Sequence, residues 1–250
     1  MNESFKKKLT RGDLLLGTIV TLPSVEIIEI LCSRGFDWLF IDLEHSALSI
    51  REAQTILQVS GLKTDCAVRI PLNNEVWMKK CLDIGASGII VPQIRNKEDA
   101  ELAVQLCKYP PQGARSVGIA RAQGYGNRFH EYVTEANDSI ALVLQIEHIE
   151  AVNNIDEILN VPGIDCLFIG PYDLSASMDK IGRVTDPEVQ DAISRVKKGA
   201  EQANIQLGIF GADAEAVLPY IESGYKLIAA GMDTMILGSA AGNLLKTLRG

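Results

Sequence analysis

Six polar side chains interrupt short apolar runs at their carboxyl ends: Asp42, Glu44 and His45 in one run, Arg69 in the next, and Glu147 and Asp173 in two later ones. Charged groups are seldom buried unless they are paired or bound to a metal. An ion pair between Asp42 and Arg69 is the plain structural reading, and it leaves the other acids unexplained. Glu147 and Asp173 form the sharpest pair. If they end consecutive strands about 4.7–4.9 Å apart, two ionised carboxylates repel unless a cation lies between them or one takes a proton. Two carboxylates with open water positions suit a hard divalent ion such as Mg²⁺ or Mn²⁺. With Arg69 opposite, the set reads as a metal and an arginine clamping a small carboxylate, such as a 2-oxo acid. His45 is the histidine at a strand end, directly after two acids, which suits acid/base work. His148 lies one step past Glu147, so its side chain turns to the other face and reads as packing or surface. His130, in a polar helical segment, reads as solvated.

These residues need a scaffold that brings strand ends together, and the chain's rhythm supplies one. Eight apolar, β-branched runs recur: Gly17–Leu22, Trp38–Glu44, Cys66–Pro71, Gly88–Ile94, Ala141–Glu147, Cys166–Asp173, Gln206–Gly211 and Leu227–Met235. Runs apolar on both faces suit parallel strands covered by helices. Helix starts fall between them: the capping box Ser49-Ile-Arg-Glu52, Asn73-Asn74 before Trp77, Met78, Cys81 and Leu82, Asn96 before Lys97–Lys108, and Asp186-Pro187. No linker or composition shift divides the chain. The expectation is one (β/α)₈ TIM barrel over residues 1–250, with its site at the carboxyl ends of the strands. Periodicity alone leaves a doubly wound sheet open. The one long irregular stretch, Tyr109–Asn127, exceeds the usual loop length and reads as functional.

Composition narrows the class. The 250 residues carry 24 Lys+Arg against 32 Asp+Glu, a net charge of −8, with 47% hydrophobic residues. The hydrophobic fraction suits a large core, and the acidic balance argues against a nucleic-acid or anionic-membrane partner. No apolar stretch reads as a signal peptide or a membrane span. Five dispersed cysteines without C-x-x-C spacing read as reduced, buried thiols, so the expected location is cytoplasmic. No lysine lies in any of the eight runs, which disfavours Schiff-base chemistry. The P-loop, zincin and nucleophile-elbow patterns are missing from the sequence. Gly231 and Gly238 imitate a barrel phosphate site only weakly.

The segments Gly35-Phe-Asp-Trp-Leu-Phe-Ile-Asp-Leu-Glu-His45, Val68-Arg-Ile-Pro71, Leu82-Asp-Ile-Gly85, Val91-Pro92, Tyr109-Pro-Pro-x-Gly-x-Arg115, Val143-Leu-Gln-Ile-Glu147 and Phe168-Ile-Gly-Pro-Tyr-Asp-Leu-Ser175 resemble the HpcH/HpaI family of metal-dependent pyruvate aldolases. They cover nearly the whole chain in order. The resemblance implies reversible aldol cleavage of a 4-hydroxy-2-oxo acid to pyruvate and an aldehyde through a stabilised enolate, with Mg²⁺, Mn²⁺ or Co²⁺ and no organic cofactor. An oxaloacetate decarboxylase or acyl-CoA lyase using the same site is the alternative.

Carried over by position, the resemblance makes Glu147 and Asp173 the metal ligands and Arg69 the group that binds the pyruvate carboxylate and enolate. Gln145 and the backbone around Tyr172 and Asp173 touch the substrate. His45 is the acid/base and Asp83 its partner; Asp42 and Glu44 stand behind them. Tyr172 departs from the small residue common in the family, so its ring should reshape the pocket. The expected assembly is a homo-oligomer, a hexamer built from dimers. The C-terminal stripe Leu244, Leu245 and Leu248 is expected at a subunit interface. Aldehyde choice is assigned to Phe210 and to Arg115 and Arg121 of the long loop, which would reach an active-site mouth in a neighbouring subunit.

Overall fold

The computed structural model describes residues 3–61 and 63–250. Eight parallel strands close into a barrel in the order β1 to β8. They are β1 (Leu15–Val20), β2 (Trp38–Asp42), β3 (Asp65–Arg69), β4 (Gly88–Val91), β5 (Ala141–Ile146), β6 (Cys166–Ile169), β7 (Gln206–Gly211) and β8 (Leu227–Met232). Around and between them lie α1 (Phe5–Arg11), α2 (Val25–Ser33), α3 (Ile50–Ser60), α4 (Glu75–Asp83), α5 (Lys97–Cys107), α6 (Phe129–Ser139), α7 (Ile149–Asn153), α8 (Ile155–Leu159), α9 (Pro171–Ser177), α10 (Pro187–Ala203), α11 (Ala214–Glu222) and α12 (Asp233–Arg249). The eight-run rhythm therefore encodes a closed TIM barrel.

The helices start where the sequence places a cap. Ser49 and Glu52 form the reciprocal capping box of α3, and the side chains of Asn74, Asn96 and Asp186 cap α4, α5 and α10. Each offers an oxygen to a backbone amide that the first turn leaves without a partner. Two apolar layers result. Inside the barrel, Trp38, Phe40, Phe168, Val143 and Leu227 pack together. Outside it, the helices close over the other strand faces in a second, larger cluster. Phe5 and Leu9 of α1 join the inner cluster, and the Phe5 ring lies 5.9 Å from that of Trp38. Thus α1, a helix the apolar runs do not announce, plugs the amino-terminal end of the barrel and leaves the other end open. Gly208 makes a close approach possible: a Cβ there would stand 2.5 Å from the Phe168 ring.

Only the run Gln206–Gly211 coincides with its strand at both ends; the others differ by one to four residues, and two of them pass from strand into helix. The sixth apolar run extends to Asp173, but the strand stops at Ile169, and Pro171 opens α9. Proline fixes a helical φ at a first-turn position where its missing N–H costs nothing. The eighth run similarly passes into α12. Every residue of α12 beyond Asp233 is exposed, including Leu237, Leu244, Leu245 and Leu248. This helix does not pack on its own barrel as an ordinary eighth helix would. No helix among the described residues is long and apolar enough to cross a membrane. All five cysteines are free, four of them buried, and burial pushes the Cys66 and Cys81 thiols up to about 12.

Candidate active site

At the open end, a cavity of about 360 Å³ is lined by Phe40, Asp42, His45, Arg69, Gln145 and Phe168, among others, and by Gly170 to Asp173, Phe210 and Met232. Its anchor is the pair between β2 and β3. These strands run in register with Asp42 opposite Arg69. The Arg69 Nε donates to Asp42 Oδ1 at 2.9 Å and Nη2 to Oδ2 at 2.8 Å, a forked contact between two buried groups. Burial alone would raise the Asp42 carboxyl, but the guanidinium outweighs it and holds the group below the usual carboxylate range. Burial likewise opposes the Arg69 charge, yet Asp42, Glu44 and Glu147 together keep the arginine fully protonated. The guanidinium also lies 5.2 Å from the Phe40 ring centroid, a position favourable for a cation.

Asp42 does a second job. Its Oδ1 accepts the backbone N–H groups of Glu44 and His45 at 3.0 and 3.3 Å. The carboxylate that fixes Arg69 therefore also shapes the turn that presents Glu44 and His45. Arg69 Nη1 lies 3.3 Å from Glu44 Oε2 but without hydrogen-bond alignment, so that buried oxygen has no bonded partner. His45 is exposed, with Nε2 3.8 Å from Glu44 Oε2.

Across the mouth, the carboxylate of Glu147 is buried just past the end of β5. Gln93 donates to its Oε1 from both the backbone N–H at 2.8 Å and the side-chain Nε2 at 3.0 Å, and Gln145 Nε2 donates to Oε2. Burial pushes the Glu147 carboxyl up to about 7; the Gln93 amide opposes this, while Glu44 and Asp173 add repulsion. Burial also raises Glu44. Three acids thus face one another with a deficit of positive charge. Gly170 gives them room: a Cβ there would stand 3.1 Å from Glu147 Oε2 and 3.0 Å from Gln145 Nε2. The Gln145 Oε1 is buried with no partner.

Gln93 escaped the sequence reading. The end of the fourth run is Pro92-Gln93, which adds no charge, yet Gln93 holds Glu147 while itself in the left-handed region, at φ 55°. A non-glycine residue at positive φ beside a site stores strain that the surroundings must hold. Asp173 also differs in its placement, since it sits in the first turn of α9 rather than on a strand. The Tyr172 ring is exposed and tilted at 51° against that of Phe210, with centroids 6.1 Å apart. His148 caps α7, accepting from Glu150 N–H at 3.2 Å, and His130 is exposed, as the sequence suggests for both.

The long loop carries its two arginines away from the cavity of their own protomer. Helix α4 runs back along the barrel, so its last residue, Asp83, lies near the amino-terminal ends of the strands, away from His45. Ser87, four residues later, donates its N–H to Cys66 O at the start of β3. The loop wraps that end. The Arg115 side chain is fully buried, donates to Asp83 Oδ1 at 3.0 Å and Tyr132 Oη at 3.1 Å, and stacks 4.5 Å from the Tyr109 ring. A guanidinium enclosed in this way cannot meet an incoming aldehyde. Arg121 donates to the carbonyls of Ile84 and Leu57, at 2.7 and 3.0 Å, closing the last turns of α4 and α3. It too lies away from the cavity of its own protomer. Of the three residues assigned to aldehyde choice, the structure brings Phe210 alone to the mouth.

Comparison with known proteins finds relatives along nearly the whole chain. A family profile described as HpcH/HpaI aldolase/citrate lyase matches residues 17–240. A 4-hydroxy-2-oxo-heptane-1,7-dioate aldolase from Klebsiella pneumoniae is 40% identical over 244 residues, covering 96% of this chain and 92% of that protein. A 2-dehydro-3,6-dideoxy-6-sulfogluconate aldolase from Pseudomonas putida is 38% identical over 244 residues, covering 97% and 95%. The crystal structure of a family member from Burkholderia cenocepacia superposes with a TM-score of 0.95 at 34% identity, over 100% of both chains.

Proposed function

The chain belongs to the HpcH/HpaI aldolase/citrate lyase family, and from that premise we propose that it cleaves and forms 4-hydroxy-2-oxo acids with pyruvate as the 2-oxo acid, an aldehyde as the other partner and a divalent cation at the mouth. The observation that carries this reading is a single one. A buried arginine, locked by Asp42, faces the buried Glu147, the half-buried Glu44 and the exposed Asp173 across a cavity sized for a small acid.

The donor set fits a hard cation. Glu147 and Asp173 supply oxygens, and the raised Glu147 carboxyl beside its acidic neighbours describes a place where positive charge is wanted. Among the described residues no group of three or more His, Cys, Asp or Glu is gathered to hold a metal alone. Water and substrate oxygens would therefore complete the shell, as hard ions prefer. Mg²⁺, Mn²⁺ or Co²⁺ would be held by Glu147 and Asp173. When bound, the ion supplies positive charge that acidifies the pyruvate methyl group and favours the enolate.

The chain's own residues do the rest. Arg69 spends its Nε N–H and one N–H of Nη2 on Asp42, so Nη1 and the second N–H of Nη2 are the donors left for the carboxylate and for the negative oxygen as it develops. Such preorganised donors act in the transition state without reorientation. In cleavage, the C4 hydroxyl gives its proton toward His45 Nε2, C3–C4 breaks, the aldehyde leaves, and the electron pair enters the pyruvate enolate facing Arg69. Return of a proton to C3 gives pyruvate. Gln145 and the Tyr172–Asp173 backbone border the same space.

Asp83 can support His45 only across two copies of the chain, because within one protomer the two lie at opposite ends of the barrel. The exposed apolar stripe of α12 offers an assembly surface, and a homo-oligomer, a hexamer built from dimers, is the corresponding proposal. Light scattering should give a multimeric mass, and Leu244→Ser/Leu248→Ser should lower it. A monomeric wild type would end both the oligomer proposal and the shared His45–Asp83 arrangement. The −8 charge and the reduced thiols fit a cytoplasmic location.

The test of function is exchange of the pyruvate methyl protons in deuterated water, which needs no aldehyde. Exchange should stop with EDTA and return with Mn²⁺, Co²⁺ or Mg²⁺. Product analysis with an aldehyde panel should then show chain-lengthened 4-hydroxy-2-oxo acids. A covalent adduct trapped by borohydride and pyruvate would overturn the scheme. Separately, Mn²⁺ should raise the wild-type melting temperature but not that of Glu147→Gln, because a ligand stabilises only the state that binds it. An equal rise in both would remove Glu147 from the ligand set.

A further inference from the structure

A second cavity, of about 600 Å³, lies between α10 and α11. It shares Pro171, Tyr172 and Phe210 with the catalytic cavity. The tilted Tyr172–Phe210 pair thus forms a partition with open space on either side. Tyr172 is the exposed half of that partition, and exposed side chains change rotamer in nanoseconds. Phe210, on β7, is held between the two cavities.

The chemistry of the second space is distinct from that of the first. Ile193, Pro219 and Tyr220 present apolar surface. Its charged residues are balanced, Lys197 against Glu215, and Lys197 is already drawn to Glu201 at 3.6 Å. No unpaired cation waits for a distal carboxylate. Pro219, inside α11, has no N–H, so the Glu215 carbonyl four residues earlier lacks its helical donor beside the cavity. The walls therefore favour an uncharged chain, with the Glu215 carbonyl and the side chains of Thr185, Gln190 and Ser223 available to a hydroxyl.

We propose that this chamber receives the distal part of an extended, uncharged acceptor aldehyde, whose carbonyl lies in the catalytic cavity and whose apolar chain passes the Tyr172–Phe210 partition. The inference rests on the aldolase reading above and adds an acceptor class to it. The small catalytic cavity suits pyruvate and a short aldehyde; a longer chain has an outlet without any change in the acid–arginine cluster. Tyr172 and Phe210 then set selectivity from both sides of a passage.

The test compares propanal and octanal as acceptors with pyruvate, with methyl-proton exchange as the acceptor-independent control. The wild type should use both. Ser194→Trp, on the exposed α10 wall of the chamber and away from the catalytic groups, should leave exchange and propanal turnover unchanged and lower kcat/KM for octanal about 10-fold or more. Ala216→Trp, filling the chamber from α11, should do the same, so a folding defect in one variant does not decide the matter. An octanal-to-propanal ratio unchanged by both tryptophans would overturn the proposal, as would a wild type that takes propanal and refuses octanal. Loss of exchange or of propanal turnover in the wild type would strike the aldolase reading itself.

Discussion

Arg69→Lys is expected to lose roughly 10²–10³-fold in kcat/KM for pyruvate methyl exchange, the range seen when a preorganised oxyanion donor is removed, although the positive charge is kept. An ammonium cannot span Asp42 with a planar fork and still extend a third donor into the cavity. Here Nε and Nη2 hold Asp42 while Nη1 remains beside Glu44, three directions from one rigid group. A lysine would satisfy Asp42 or the substrate, not both. The damage should spread, because Asp42 also anchors the Glu44 and His45 amides. Arg69→Met goes further and leaves a buried carboxylate unpaired, which costs about 3–5 kcal/mol in comparable sites. Exchange kinetics beside thermal melting separate the effects: Lys should be slowed by that factor yet near wild type in melting, Met slowed at least as much and destabilised. Wild-type exchange in Arg69→Lys would show that the arginine only braces the barrel.

The barrel was legible because its signal is periodic. Eight apolar runs with helix starts between them have few other solutions, and caps such as Ser49–Glu52 mark where helices begin. The largest boundary shift comes where hydrophobicity continues through a change of backbone, at Gly170-Pro171, where a proline rather than a polar residue ends the strand. The acids and arginine of the site were legible for a related reason: charge at the end of an apolar run is costly without a purpose. Gln93 was not, since a neutral amide carries no such penalty and its left-handed backbone has no sequence signature. Arg115 misled in the opposite direction. An arginine in a glycine-rich loop suggests solvent, yet two tyrosines from separate segments, Tyr109 and Tyr132, enclose it against Asp83. Only the tertiary arrangement brings them together. The apolar stripe of α12 reads the same for a helix packed on its own barrel or on another, and its exposure fits the second, the subunit interface expected for it.

That arrangement of Asp83 shapes the second large effect. His45→Ala should slow methyl-proton exchange by about 10²–10⁴, the usual loss when a positioned acid/base group is removed. The gain in melting temperature with Mn²⁺ should stay close to wild type, since His45 is exposed and stands outside the Glu147–Asp173 pair. Asp83→Asn should show a milder form of the same defect. The decisive experiment is to mix the two variants and let their subunits exchange. If Asp83 serves the histidine of its own chain, every site in a mixed assembly carries one defect and activity stays low. If it serves a neighbour, a site that takes His45 from the Asp83→Asn chain and Asp83 from the His45→Ala chain is intact. Mixing should then recover exchange above either parent. The fold speaks against the first outcome, because α4 carries Asp83 about 13 Å back along the barrel from the end where His45 stands, and recovery is the result the proposal expects. Recovery absent in a mixture shown by mass to contain mixed oligomers would leave Asp83 as a structural partner of Arg115. His45 would then act with no carboxylate behind it other than Glu44.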